Sequence, residues 1–124
     1  MTKEQIVQHW RKGSRESFRL AELAVLEGSY ALALFHCHLA VEKMLKAQFI
    51  EELNQDPPPT HDLLVIALKL KRKWTQEEER ILADLTDYAV AARYDDPTWA
   101  KRQATAKNSR LWIARVRLFL SSFT

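Results

Sequence analysis

Residues that interrupt helices are nearly missing from this chain. Of its 124 residues only two are Gly and four are Pro, and three of the prolines are consecutive, Pro57 to Pro59. In a helix interior Gly costs about 1 kcal/mol and Pro about 3 kcal/mol relative to Ala. Before Pro57 only Gly13 and Gly28 can punctuate the chain, and after Pro59 only Pro97 can. No segment shows the period-two alternation of a strand. Such a chain is restricted to long helices joined by short connections, which makes sequential helices antiparallel neighbours. With 47% hydrophobic residues it can bury a core without disulfide or metal. We therefore expect an all-α fold: one domain over 1–124, an up-and-down antiparallel bundle of four main helices plus one short helix.

The helix signals fall in order. Thr2-x-x-Gln5 reads as a capping box opening a first helix, with Ile6, Trp10, Phe18, Ala21 and Val25 at helical spacing. Gly13-Ser14 weakens its middle, and Gly28 ends it. Ser29 caps a second helix over Tyr30 to Leu53, closed by the loop Asn54 to Thr60. A short third helix carries Leu63, Leu64, Ile66, Ala67 and Leu70. Thr75-x-x-Glu78 is a second capping box, for a fourth helix with Ile81, Leu82, Leu85, Tyr88 and Ala89 facing inward. RYDDP ends it, because the residue before Pro97 is pushed out of the helical region. A last helix is expected from Thr98 to Ser121, with the stripe Trp112, Val116, Phe119, Phe123.

Several function classes are excluded or disfavoured by composition. The single Cys37 cannot form an internal disulfide, which fits a reducing cytoplasm. MTKEQ leads into no apolar run of a signal peptide, and no stretch approaches the ~20 apolar residues of a membrane span. No motif implies a cofactor.

LFHCHLAVEKMLKA, Leu34 to Ala47, holds three ligand-type residues together, His36, Cys37 and His38. At about 100° per residue the two histidines differ by about 200°, so a regular helix cannot present them to one metal. We expect no metal site. Apolar side chains point almost all round this helix, which makes it the central one. His38, Glu42 and Lys46 instead form a ladder at i, i+4, i+8, with Glu42 preceding Lys46 in the favourable order for an ion pair. Two accounts stand: an internal salt bridge with His38 beside it, or a polar stripe that meets a ligand or partner.

The pattern H-x-A-x-E-K-x-L-K-A from His38 to Ala47 resembles the second helix of HEPN domains. AELAVLEGSYALALF before it, PPPTHDL (Pro57 to Leu63) and AARYDDP (Ala91 to Pro97) resemble further family elements, in family order. The resemblance implies a helical bundle, usually a homodimer. It also implies a minimal nucleotidyltransferase as partner, in two-component or toxin–antitoxin systems. Active members are metal-independent ribonucleases with the signature Arg, four to six residues, then His. That chemistry needs a cation on the scissile phosphate and an imidazole for proton transfer.

This sequence departs from the signature. After Arg93 the histidine positions hold Thr98, Trp99 and Ala100, and none of these side chains replaces an imidazole as base. Arg93 could still bind phosphate, with Tyr94 beside it to stack on a base. Alternatively Arg93 pairs with Asp95 or Asp96 and shapes the turn.

Charge is segregated. From Pro97 onward there is no acid, while Lys101, Arg102, Lys107, Arg110, Arg115 and Arg117 are all basic, a distribution able to steer an anionic partner. Arg110 and Arg117 fall close together, away from the Trp112 stripe. Lys69, Lys71, Arg72 and Lys73 form a second basic cluster. His61 and Asp62 fit the start of the third helix, a structural role. Trp74 and Trp99, near loops, are candidates for a dimer or partner surface.

The expectation from these features is a cytoplasmic, non-catalytic HEPN protein that binds nucleotide or RNA and acts with a nucleotidyltransferase. Its binding candidates are Arg93, Tyr94, Lys101, Arg102, Arg110 and Arg117, beside the polar ladder. The alternative is a ribonuclease toxin built on Arg93 with His38 or His61 brought near in a dimer.

Overall fold

The computed structural model describes residues 1–123. Six helices follow one another: α1 (Lys3–Leu26), α2 (Tyr30–Leu53), α3 (Leu63–Ala67), α4 (Gln76–Arg93), α5 (Pro97–Gln103) and α6 (Ala106–Ser121). The fold is the expected all-α up-and-down bundle, with α1, α2, α4 and α6 as its long members. No described helix is long and apolar enough to cross a membrane.

Capping chemistry sets most boundaries. Thr2 and Gln5 exchange the two hydrogen bonds of a capping box, and Thr75 and Glu78 do the same for α4. After α1, Gly28 takes the left-handed conformation (φ 77°). Its N–H donates to the Val25 carbonyl and that of Ser29 to Ala24, the paired bonds of a Schellman motif. Ser29 stands at the N-cap of α2, but its side chain makes no capping bond, contrary to the sequence expectation.

The last helix is also different. The stretch expected as one helix from Thr98 to Ser121 is two, broken at Ala104–Thr105. Thr105 Oγ1 accepts from the Asn108 N–H at 3.1 Å, and Asn108 Nδ2 donates back to the Gln103 carbonyl at 2.8 Å. One side-chain pair thus satisfies the end of α5 and the start of α6.

Helix α2 is the axis of the bundle and packs on α1, α3, α4 and α6. Its contact with α1 is close because α1 offers small residues there: Ser14, Ser17, Ala21 and Ala24 are all buried. Gly13 belongs to this seam, since a Cβ on it would stand 3.1 Å from Cδ of Lys43. The Lys43 stem lies over that gap and its Nζ donates to Ser17 Oγ at 2.9 Å. Ser14 Oγ donates to the Ala40 carbonyl at 2.6 Å, so the buried hydroxyl is satisfied. The residues that weaken α1 as an isolated helix are the ones that let α2 approach.

The core joins Leu34, Val41 and Leu45 of α2 to Leu82 and Leu85 of α4 and to Trp112 and Val116 of α6. Trp74 and Trp99 pack against it, each partly buried. Trp74 lies parallel to Phe119 at 5.6 Å, donates Nε1–H to the Ala67 carbonyl, and has the Arg72 guanidinium 4.2 Å from its ring centroid. Arg72 also pairs with Glu78, which removes it from the basic cluster as a free charge.

Candidate functional site: the cleft between α2 and α4

The His38–Glu42–Lys46 ladder forms, and it has a fourth member. Glu42 is 4% exposed, so its charge must be compensated inside the protein. Oε2 accepts from Lys46 Nζ at 3.0 Å and Oε1 from His61 Nδ1 at 3.0 Å. Lys46 lies 5.5 Å from the Trp10 ring centroid, which links the ladder to α1. His61 arrives from outside the helix: the proline-rich loop returns the chain to the middle of α2. There Asp62 caps α3 through the N–H groups of Leu64 and Val65.

His38 has a different task. Its Nε2 donates to the His61 carbonyl at 2.8 Å and so fixes the loop from which the His61 ring projects. That bond leaves Nδ1 as the unprotonated nitrogen, buried and 3.9 Å from Glu42 Oε1, too far for a hydrogen bond. Burial pushes the His38 pKa down, against the smaller upward pulls of the His61 carbonyl and Glu42. A neutral His38 is consistent with this tautomer.

The His61 side chain is 69% exposed. With Nδ1–H held by Glu42, its Nε2 is left as an oriented acceptor. His38 and His61 line one side of a cleft of about 230 Å³. Phe35 and Leu39 of α2 and Thr86, Ala89, Val90 and Arg93 of α4 complete it. Thr86 ties α4 to the start of α3: Oγ1 accepts from the Leu63 N–H and donates to the Leu82 carbonyl. A second hollow of about 370 Å³ continues past Arg93, lined by Ala31, Leu32, Phe35 and Ala92. Arg93 and Phe35 border both.

The Arg93 side chain makes no hydrogen bond or ion pair with any described residue. The local backbone explains why Asp95 and Asp96 do not neutralise it. Asp95 occupies a left-handed position (φ 52°) after α4, which Asp tolerates better than most residues. The Asp96 carboxylate accepts from the Thr98 and Trp99 N–H groups and caps α5. Both acids shape the turn, and the guanidinium is left on the cleft. A cation without a counter-ion, an imidazole oriented by a buried carboxylate and apolar walls together suit a phosphate-bearing ligand with a flat or apolar body.

The other sequence candidates do not line this cleft. Tyr94 caps the C-terminus of α4 and is 77% exposed. Lys101 and Arg102 stand in the last turn of α5, where they complement its dipole. Arg110 and Arg117 belong to α6, so the basic residues expected on one helix are shared between two. Arg117 pairs with Glu22 at 2.9 Å and is not a free cation. His36 and Cys37 diverge from His38: the His36 ring lies against Phe35, while Cys37 is fully buried. Burial, with a lesser effect of Glu22, pushes the Cys37 thiol up to about 12. Among the described residues no three His, Cys, Asp or Glu side chains are grouped as metal ligands. His61 is the residue whose part the sequence reading missed. Its place in the ladder depends on a contact across 19 positions, and PPPTHDL was the signal available.

Comparison with known proteins agrees with the architecture. The model of the HEPN domain matches residues 7–121, nearly the whole chain. The crystal structure of TT1696 from Thermus thermophilus superposes with a TM-score of 0.82 over 94% of both chains, at 20% identity, and supports the fold alone. No curated protein matches the sequence.

Proposed function

The chain belongs to the HEPN domain family, and from that premise we propose that it is a non-catalytic binding subunit for a nucleotide or RNA. It acts in the cytoplasm with a minimal nucleotidyltransferase, in a two-component or toxin–antitoxin arrangement. The observation that carries this reading is Arg93, a guanidinium without a counter-ion at the mouth of a cleft with apolar walls. The guanidinium takes the phosphate and Phe35 with Leu39 receives the base or sugar face. The histidine that ribonuclease members carry after this arginine is replaced, since Thr98, Trp99 and Ala100 fill its positions.

The protein works as a homodimer in this proposal. Leu32 and Val90 are half exposed beside the cleft, and a second copy would cover this apolar rim. Mass measurement by light scattering tests it: Leu32→Asp with Val90→Asp should yield a monomer, and a wild-type chain that is already monomeric would refute the dimer.

A second reading is favoured by one observation. His61, held by Glu42, lines the same cleft as Arg93, so a cation and an oriented imidazole face one cleft within a single chain. A ribonuclease using His61 Nε2 for proton transfer would need both. Incubation of the purified protein with RNA separates the readings. Cleavage lost in Arg93→Ala and His61→Ala selects the enzyme, and binding without cleavage selects the binding subunit. Co-purification with the product of an adjacent nucleotidyltransferase gene tests the partner.

A further inference from the structure

A cleft between α1 and α6, on another face from the α2–α4 site, has the features of a second ligand site. Its volume is about 570 Å³, within the roughly 300–1,000 Å³ of small-molecule pockets. Phe18, Met44, Leu120 and Phe123 supply apolar walls. Three arginines, Arg11, Arg15 and Arg117, line it, and no carboxylate does.

The three cations are not equivalent. Arg117 pairs with Glu22 at 2.9 Å and lies over the Phe18 ring at 5.6 Å, so its charge already has a partner, although the pair is exposed. The exposed Arg15 side chain has no hydrogen bond or ion pair among the described residues. Arg11 has a buried Nε–H without an acceptor. A buried donor is nearly always satisfied in a folded protein, and one that is not marks a place where an acceptor is missing. Arg11 and Arg15 stand at i and i+4, on one face of α1. Two guanidiniums without counter-ions match a dianion better than a monoanion, and the adjacent walls match an aromatic or aliphatic body.

We propose that the α1–α6 cleft binds a phosphate monoester with an apolar body, the phosphate on Arg11 and Arg15 and the body on Phe18, Met44, Leu120 and Phe123. The site does not depend on the reading of Arg93. A macromolecular strand is the poorer occupant, because the cavity is concave and of small-molecule size rather than a track.

Calorimetric titration with 2-naphthyl phosphate tests it, in the full chain carrying Arg93→Ala so that the α2–α4 cleft does not compete. This parent chain should bind one equivalent saturably, and adding Arg11→Gln with Arg15→Gln should weaken binding at least about tenfold. The charge-matched Lys69→Gln with Lys73→Gln, neither of which lines the cleft, should leave the affinity unchanged, and 2-naphthol and inorganic phosphate should each bind much more weakly than the ester. Thermal melts confirm that both double variants fold. Four results would overturn the proposal. They are no saturable binding by the parent chain, equal binding by the Arg11/Arg15 variant, inorganic phosphate binding as tightly as the ester, or a dimer that the Arg11/Arg15 variant converts to monomer. The last would mean that a second copy fills the cleft.

Discussion

His61 Nδ1 lies 3.0 Å from Glu42 Oε1, so a buried carboxylate at the centre of α2 holds an imidazole that is mostly in solvent. This contact joins the interior of the bundle to its candidate site. It makes the ladder serve two ends: Lys46 and His61 compensate the Glu42 charge, and the charge in turn orients His61.

Removing the carboxylate should therefore be costly. Glu42→Gln leaves Lys46, 11% exposed, without its partner. Loss of one member of a buried ion pair costs about 3–5 kcal/mol. Urea unfolding should show a loss of that size, partly recovered by Lys46→Met in the same background, because the stranded cation is then gone. A change below about 1 kcal/mol would mean that the pair behaves as an exposed one.

Acid should weaken the fold through His38. Burial lowers its pKa in the folded chain below the ordinary 6.5, helped by repulsion from Lys46 and from His61 whenever that ring is charged, and opposed by the His61 carbonyl and Glu42. Below pH 6.5 the unfolded chain then takes up a proton that the folded chain refuses. Stability is complete above that pH and falls as pH drops through 6.5 toward the lower folded value. His36, lowered by burial and Lys43, adds a contribution of the same sign. The melting temperature should be lower at pH 5.5 than at pH 7.5, and the difference should shrink in His38→Gln with His36→Gln. An unchanged slope in that variant would show that other groups carry it.

The break between α5 and α6 makes a local prediction. Thr105 caps α6 through the Asn108 N–H. Thr105→Ala should destabilise by about 1 kcal/mol, the usual worth of such a cap. Thr105→Ser should recover most of it, and equal stability of all three chains by chemical denaturation would show that the cap contributes nothing.

The same break shows where reading the sequence stopped. Helices α1, α2 and α4 were legible because their ends carry capping residues and their interiors lack Pro and nearly lack Gly, whereas α3 stops at Ala67 and leaves the expected Leu70 in the turn after it. Thr105-x-x-Asn108 carries a capping signal too, but no Gly or Pro flags it, and the apolar stripe through Trp112 extrapolates smoothly across it. The ladder on α2 was legible because i, i+4, i+8 is a local relation. His61 joining Glu42, and Arg93 facing the same cleft as His38, depend on how the proline-rich loop folds back and how α4 docks on α2. No spacing within one helix encodes either. Arg93 was legible as a residue type, whereas its lack of a counter-ion was not. That follows from Asp95 taking a left-handed turn position and Asp96 capping α5.

Everything proposed for the α2–α4 cleft turns on Arg93 anchoring a phosphate-bearing ligand there. Titration of a fluorescent single-stranded RNA and of ATP with wild-type protein and with Arg93→Ala, at low and high salt, tests this most directly. We predict saturable, salt-sensitive binding of at least one of the two. Arg93→Ala should lose affinity by about tenfold or more while the melting temperature changes little, because the Arg93 side chain makes no hydrogen bond or ion pair and its exposed charge at the end of α4 contributes less than about 1 kcal/mol. Equal binding by the two proteins, or none by the wild type, would contradict it.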